Sequence, residues 1–186
     1  MRRITVLALV AAIVAAGAVI AGARRVGAHL EHGAMAPEFT AEAALGGTVE
    51  TVDLRSALAK GPVVLYFFPK SFTTGCTIEA HEFSQHIDAF RALGATVIGV
   101  SGDDIETQKR FSTLECRSAF LVASDPGLRI AKSYDAVLAG QYANRTSYVI
   151  APDGTIAYAY ASLDPSKHVT NTLAALRDLD PSKGNR

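Results

Sequence analysis

The sequence predicts an α/β fold: a mixed central sheet flanked by helices. Three observations carry this. Val63-Val-Leu-Tyr-Phe-Phe68 is a continuous apolar run of buried-strand length, bounded by Pro62 and Pro69. Ile78, Phe83, Ile87, Phe90 and Leu93 then recur at roughly helical spacing, and Ala95–Val100 is a second apolar run. Two late strands around Pro152-Asp-Gly154 precede a final helical stretch. Strand–helix–strand alternation followed by a hairpin and a helix implies parallel and antiparallel pairing in one sheet, with helices on both faces.

Taken in order, Pro37-Glu-Phe39-Thr opens the domain, and Leu45-Gly-Gly-Thr-Val49 predicts a hairpin about Gly46-Gly47. Residues 53–58 predict a short helix, 63–68 a strand, and 74 to about 93 one long helix. Residues 95–100 form a strand, and Asp104 is placed to cap a helix over 105–116. Residues 120–123 form a strand, 124–127 a turn and 127–134 a helical turn or two. Residues 147–150 and 155–160 are strands. Asp164 as cap and Pro165 at the first position open a helix to Leu179. Residues 181–186 are a tail, and no internal repeat is visible.

Composition narrows the function. The 186 residues are 49% apolar, enough for a folded domain with an appendage. Formal net charge is zero, which argues against a nucleic-acid binder. The two cysteines, Cys76 and Cys116, are too far apart for a CxxC zinc site and too few for a disulfide scaffold. His29 and His32 share a helical spacing but have no third ligand nearby, so no metal is expected. The later tyrosines read as packing residues, and Gly46-Gly47 does not match a phosphate loop.

The N-terminus stands apart. Arg2 and Arg3 precede Ile4–Ala23, an uncharged stretch long enough to span a bilayer, and Arg24 and Arg25 follow. Ala21-Gly-Ala23 would serve as a cleavage site. A signal anchor and a cleaved signal peptide both fit, and either implies export to a compartment where disulfides persist. Positive charge at both ends leaves the orientation open. Residues 24–36 read as linker, and 37–180 as the domain.

The chemistry centres on Pro69-Lys-Ser-Phe-Thr73-Thr-Gly75-Cys76-Thr-Ile-Glu79. A buried strand delivers Cys76 to the first turn of a helix, where backbone N–H groups lack intrahelical partners. Those groups and the helix dipole favour thiolate over thiol. A small buried apolar cysteine is the plainer reading, but Gly75 before it and Thr73 nearby speak against that.

This loop resembles the peroxiredoxin active site, Pro-x-x-x-Thr-x-x-Cys, and most closely its peroxiredoxin Q branch, also called bacterioferritin-comigratory protein. The resemblance runs from about Gly33 to Leu179. It implies a thioredoxin fold with an N-terminal extension, the order of elements already read. It also implies a thiol peroxidase without metal, haem or flavin. Cys76 would attack a peroxide and become a sulfenic acid. Thr73 would hold the peroxide, its alternative role being a helix cap. Pro69 would shield the thiolate, and Gly75 and Cys76 would offer backbone N–H donors.

In the family an arginine arrives just before a late strand, where Asn144-Arg145-Thr-Ser-Tyr-Val-Ile150 stands here. Arg145 would stabilise the thiolate and the transition state, and Glu79 would hold its guanidinium. Departures are Ser71-Phe72 for an acidic pair, Thr74 for a proline, and His81 where many members carry a second cysteine. Cys116 is then the candidate resolving cysteine. Substrates implied are hydrogen peroxide and organic hydroperoxides, with a thioredoxin-like dithiol as reductant and a monomer or weak dimer as the working form. Two other classes fit the residues less well. A thiol–disulfide oxidoreductase wants CxxC, which is absent. A copper-binding assembly factor of the same fold wants two cysteines close in sequence.

Overall fold

The computed structural model describes residues 29–179. The apolar stretch 4–23 and the tail 181–186 lie outside those residues. Among the described residues no helix is long and apolar enough to cross a membrane.

Strands β1 (Thr40–Leu45) and β2 (Thr48–Asp53) form the expected antiparallel hairpin. Gly46 and Gly47 both take positive φ, 55° and 84°, a turn geometry that suits residues without a Cβ. Helix α1 (Leu54–Leu58) starts at Asp53, whose carboxylate accepts from the Ser56 N–H. Strand β3 (Val63–Phe67) is buried throughout. Helices α2 (Thr74–Gln85) and α3 (Ile87–Ala92) follow, then β4 (Thr96–Ser101), α4 (Ile105–Leu114) and β5 (Leu121–Ser124). Helix α5 (Arg129–Ser133) and a small ribbon of β6 (Val137–Leu138) and β7 (Tyr142–Ala143) lead to β8 (Thr146–Ile150) and β9 (Ile156–Ala161). A 3₁₀ turn, Pro165–Lys167, precedes α6 (His168–Leu179).

The seven-stranded sheet runs β2-β1-β5-β4-β3-β8-β9. The central three, β5-β4-β3, are parallel, and β1 and β8 pair antiparallel at either side. Side chains alternate across β3. Val63, Leu65 and Phe67 join one apolar cluster with Leu54, Ile130, Tyr134 and Tyr148. Val64, Tyr66 and Phe68 join the other with Phe83, Phe90, Phe111, Leu173 and Leu176. Helices α2, α3, α4 and α6 therefore cover one face, and α1 and α5 the other. Gly99 in β4 admits the Tyr66 ring: a Cβ there would lie 2.8 Å from its Cζ.

Several boundaries differ from expectation. The single helix over 74–93 is two, because His86 leaves helical geometry and its Nδ1 engages the Glu82 carbonyl at 2.9 Å. Ile78, counted on the apolar stripe, is exposed, whereas Phe83 and Phe90 are buried. Helix α4 stops before Cys116, closed by the Ser118 N–H on the Ser112 carbonyl. The last helix opens as a 3₁₀ turn, with Asp164 accepting from the Ser166 N–H. The β6–β7 ribbon carries no sequence signal of strand length. Within the segment read as linker, the Gly33 and Ala36 N–H groups donate to the Ile156 and Gly154 carbonyls.

Candidate active site

β3 lies inside the sheet between β4 and β8, and half-buried Pro69 closes it. The loop beyond is pinned from beneath. The Ser71 N–H donates to Asp103 Oδ2 at 2.7 Å, and its buried hydroxyl donates to Gln108 Oε1 at 3.1 Å. The Ser101 hydroxyl donates to the same Asp103 oxygen at 2.7 Å. Phe72 sits at φ 63°, a strained value for a side-chain-bearing residue. Its ring packs edge-on against Phe111, and the Arg110 guanidinium lies 5.7 Å from its centroid.

Thr73 is the residue before α2, extended at φ −82° and ψ 151°. Its carbonyl accepts the first helical bond, from Thr77 N–H. Its hydroxyl makes no capping bond; it donates instead to the Lys70 carbonyl at 2.9 Å. Thr74, Gly75 and Cys76 occupy the first turn, where N–H groups have no intrahelical acceptor. Cys76 is 2% exposed. The site is thus a nearly sealed thiol at the positive end of a helix.

Arg145 comes from the residue before β8 and is also buried. Its Nη2 donates to Cys76 Sγ at 3.4 Å, its Nη1 to Glu79 Oε2, and its Nε to the Leu163 carbonyl at 3.0 Å. Ser162 N–H donates to the Arg145 carbonyl at 3.1 Å, so the β9–α6 connection clamps both ends of this residue. Gly75 leaves room for the guanidinium: a Cβ there would stand 3.0 Å from Nη2.

Glu79 lies one helical turn after Cys76 and is fully buried. Burial pushes its carboxyl up to about 8, against the pull of Arg145. Its Oε1 has no hydrogen-bond partner among the described residues and faces His168 Nδ1 at 3.6 Å. His168 is likewise fully buried. Its Nε2 meets the Ser162 carbonyl at 3.0 Å, which can only accept, so Nε2 carries the hydrogen. Nδ1 then accepts from the Ser147 hydroxyl at 2.8 Å. Burial holds this imidazole down, to about 4.

The sequence-derived set divides. Cys76, Gly75, Glu79 and Arg145 converge, and Pro69 and Thr73 border them in the loop. Cys116 is a separate free thiol, fully buried in the same apolar cluster as Cys76. Burial pushes its thiol well up. It sits just past α4, before Arg117 and Ser118, both at positive φ. His81 Nε2 lies 2.8 Å from Glu115 Oε2, joining α2 to that turn. His168, Ser147 and the Ser71–Asp103–Gln108 anchors went unrecognised in sequence, where no motif spacing marks them.

A thiol at a helix start, with no second cysteine in its loop, suits an oxidoreductase that acts through one sulfur at a time. The comparisons with known proteins narrow this class. The AhpC/TSA family model matches residues 32–159. The chain is 35% identical over 150 residues to the chloroplastic peroxiredoxin Q of Oryza sativa subsp. japonica, covering 79% of this chain and 67% of that one. It is 34% identical over 155 residues to that of Populus jackii, covering 82% and 70%. Among solved structures, peroxidoxin BcpB of Mycobacterium tuberculosis aligns with TM-score 0.74 and 28% identity over 81% of this chain and 99% of that one. AhpC of Mycobacterium tuberculosis aligns with TM-score 0.73 at 22% identity over 84% and 96%, a likeness of fold alone. The chain belongs to the AhpC/TSA family, and it is a thiol-specific peroxidase.

Proposed function

We propose that Cys76 is the peroxide-reducing thiolate, with Arg145 its activating cation. The observation that carries this is the Arg145 guanidinium, bonded at once to Sγ and to Glu79 in a buried site. In that setting a fixed charge acts with little screening. Sγ attacks the distal peroxide oxygen, the S–O bond forms and the O–O bond breaks. Sulfur is oxidised to sulfenic acid, and the departing hydroxide or alkoxide takes a proton and leaves as water or alcohol. Pro69 excludes water, the Thr73 hydroxyl turns from the Lys70 carbonyl to hold the peroxide, and the Gly75 and Cys76 N–H groups receive developing charge.

Cys116 resolves the sulfenic acid. In the folded protein burial disfavours its thiolate. Unwinding of the strained turn at Arg117 and Ser118 removes that cause and brings the sulfurs together. The Cys116 thiolate attacks the Cys76 sulfur, hydroxide leaves as water, and a disulfide forms. A thioredoxin-like dithiol restores both thiols by exchange. Substrates are hydrogen peroxide and organic hydroperoxides. Residues 4–23 carry the domain out of the cytoplasm, tethered or cleaved. Full-length protein should then pellet with membranes, or be recovered starting at Arg24; cytosolic protein that is neither would refute export.

The test is peroxide consumption with a thioredoxin donor. Cys76→Ser should abolish it, and activity near wild type would overturn the reading. Cys116→Ser should consume about one equivalent per chain, then stall or over-oxidise. Sustained turnover in that variant would remove Cys116 from the cycle.

A further inference from the structure

One buried cation serves two acids here. Arg145 touches both Cys76 Sγ and Glu79 Oε2, and all three residues are at most 4% exposed. Two anions against one guanidinium would leave a net negative charge out of water, which is costly. A single proton shared between the two acids restores balance. The other titratable groups facing Glu79 do not change this count. His168 on α6 is neutral, its Nε2–H committed to the Ser162 carbonyl. Tyr66 on β3 is fully buried and its phenol is held well up by burial, so it too is neutral.

The proton has a place prepared for it. Glu79 Oε2 accepts from Arg145 and so behaves as the carbonyl oxygen of an acid. Oε1 is the orphan, and the group it faces, His168 Nδ1, is an acceptor. Nδ1 spends its one lone pair on the Ser147 hydroxyl and stands 3.6 Å away, so Oε1 as a carboxylate oxygen would be a buried charge that no donor meets. A proton on Oε1 removes that charge.

We propose that Glu79 is a neutral carboxylic acid while Cys76 is a thiolate and a carboxylate once Cys76 is oxidised. This rests on Cys76 being the peroxide-reducing thiolate. In the reduced site the Arg145 charge is then spent on sulfur and not shared with Glu79. When sulfur loses its negative charge, Glu79 becomes the counter-ion and releases its proton. The balance is complete: thiolate and peroxide give sulfenic acid and alkoxide or hydroxide. The proton lost by Glu79 equals the one that the leaving oxygen gains by way of solvent.

Infrared difference spectroscopy on the full chain at pH 7 tests this, comparing the dithiol-reduced protein with the same sample after hydrogen peroxide. A protonated-carboxyl C=O band should be present in the reduced protein, shift in D₂O and disappear on oxidation. It should be absent in Glu79→Gln. Wild-type protein that consumes peroxide but shows no such band overturns the proposal while leaving the peroxidase reading intact. A band that survives oxidation or Glu79→Gln also overturns it. Peroxide consumption by Cys76→Ser in the same assay would strike the underlying reading instead.

Discussion

His81 Nε2 and Glu115 Oε2 meet at 2.8 Å, a contact that ties the middle of α2 to the turn before Cys116. The helix that bears one thiol is thereby fastened to the segment that bears the other. On the proposed cycle that turn opens to let the two sulfurs meet, and it already holds two successive residues at positive φ. Strain favours opening, and the contact opposes it.

His81→Ala should therefore speed disulfide formation after peroxide addition. Both side chains are partly exposed, so the contact contributes at most about 1 kcal/mol, or roughly fivefold in rate. Stopped-flow tyrosine fluorescence, or quenched thiol labelling, would read it. A slower or unchanged rate would mean that the contact does not gate the turn.

Arg145→Met removes the charged donor while keeping bulk. The peroxide step should fall by about 10²-fold or more, taking one lost donor as roughly 3 kcal/mol. Alkylation of Cys76 should need higher pH than in wild type. An identical alkylation profile in the two proteins would show that the arginine does not act on sulfur.

Gly75→Ala separates stability from activity. Alanine is the better helix former by roughly 1 kcal/mol, so the melting temperature should not fall. The new methyl, however, would stand 3.0 Å from Arg145 Nη2 and tilt the guanidinium off Sγ. A loss of about tenfold in the peroxide step is expected, equal to roughly 1.4 kcal/mol. Full activity would show that the arginine can yield without cost.

His168 makes folding pH-dependent. Its imidazole is held down to about 4 in the folded protein, against 6.5 as the ordinary value. The unfolded chain thus binds more protons than the native one between these limits, and stability rises with pH there. The contribution is present above about pH 6.5 and is lost as pH falls towards 4, on the order of 3 kcal/mol in all. Denaturant melts of wild type and His168→Gln across that range would check it, the variant showing the flatter profile. Equal slopes would mean that the imidazole is free to charge in place.

Much of this was legible in the chain. The apolar run at 63–68 announced a central strand because a strand covered on both faces needs no polar alternation. Asp104 and Asp164 announced the starts of their helical segments because capping is a local bond between near neighbours. Cys76, Gly75 and Glu79 were readable together, since one helical turn spans them. Arg145 was readable only through resemblance, for nothing near it in sequence shows that it turns inward.

What the tertiary structure alone decided is where distant residues meet. Nothing local foretells that His168 would lie against Glu79, or that its Nδ1 would be left as an acceptor by the Ser162 carbonyl and Ser147 hydroxyl. Asp103 and Gln108 hold the Ser71 loop because β4 lies beside β3, and His81 reaches Glu115 because α2 and α4 cover the same face. Sequence determines the local elements and the candidate thiol, through periodicity, caps and one short motif. Packing determines the charge balance around that thiol, because electrostatic and hydrogen-bond partners are set by distance in space and not along the chain.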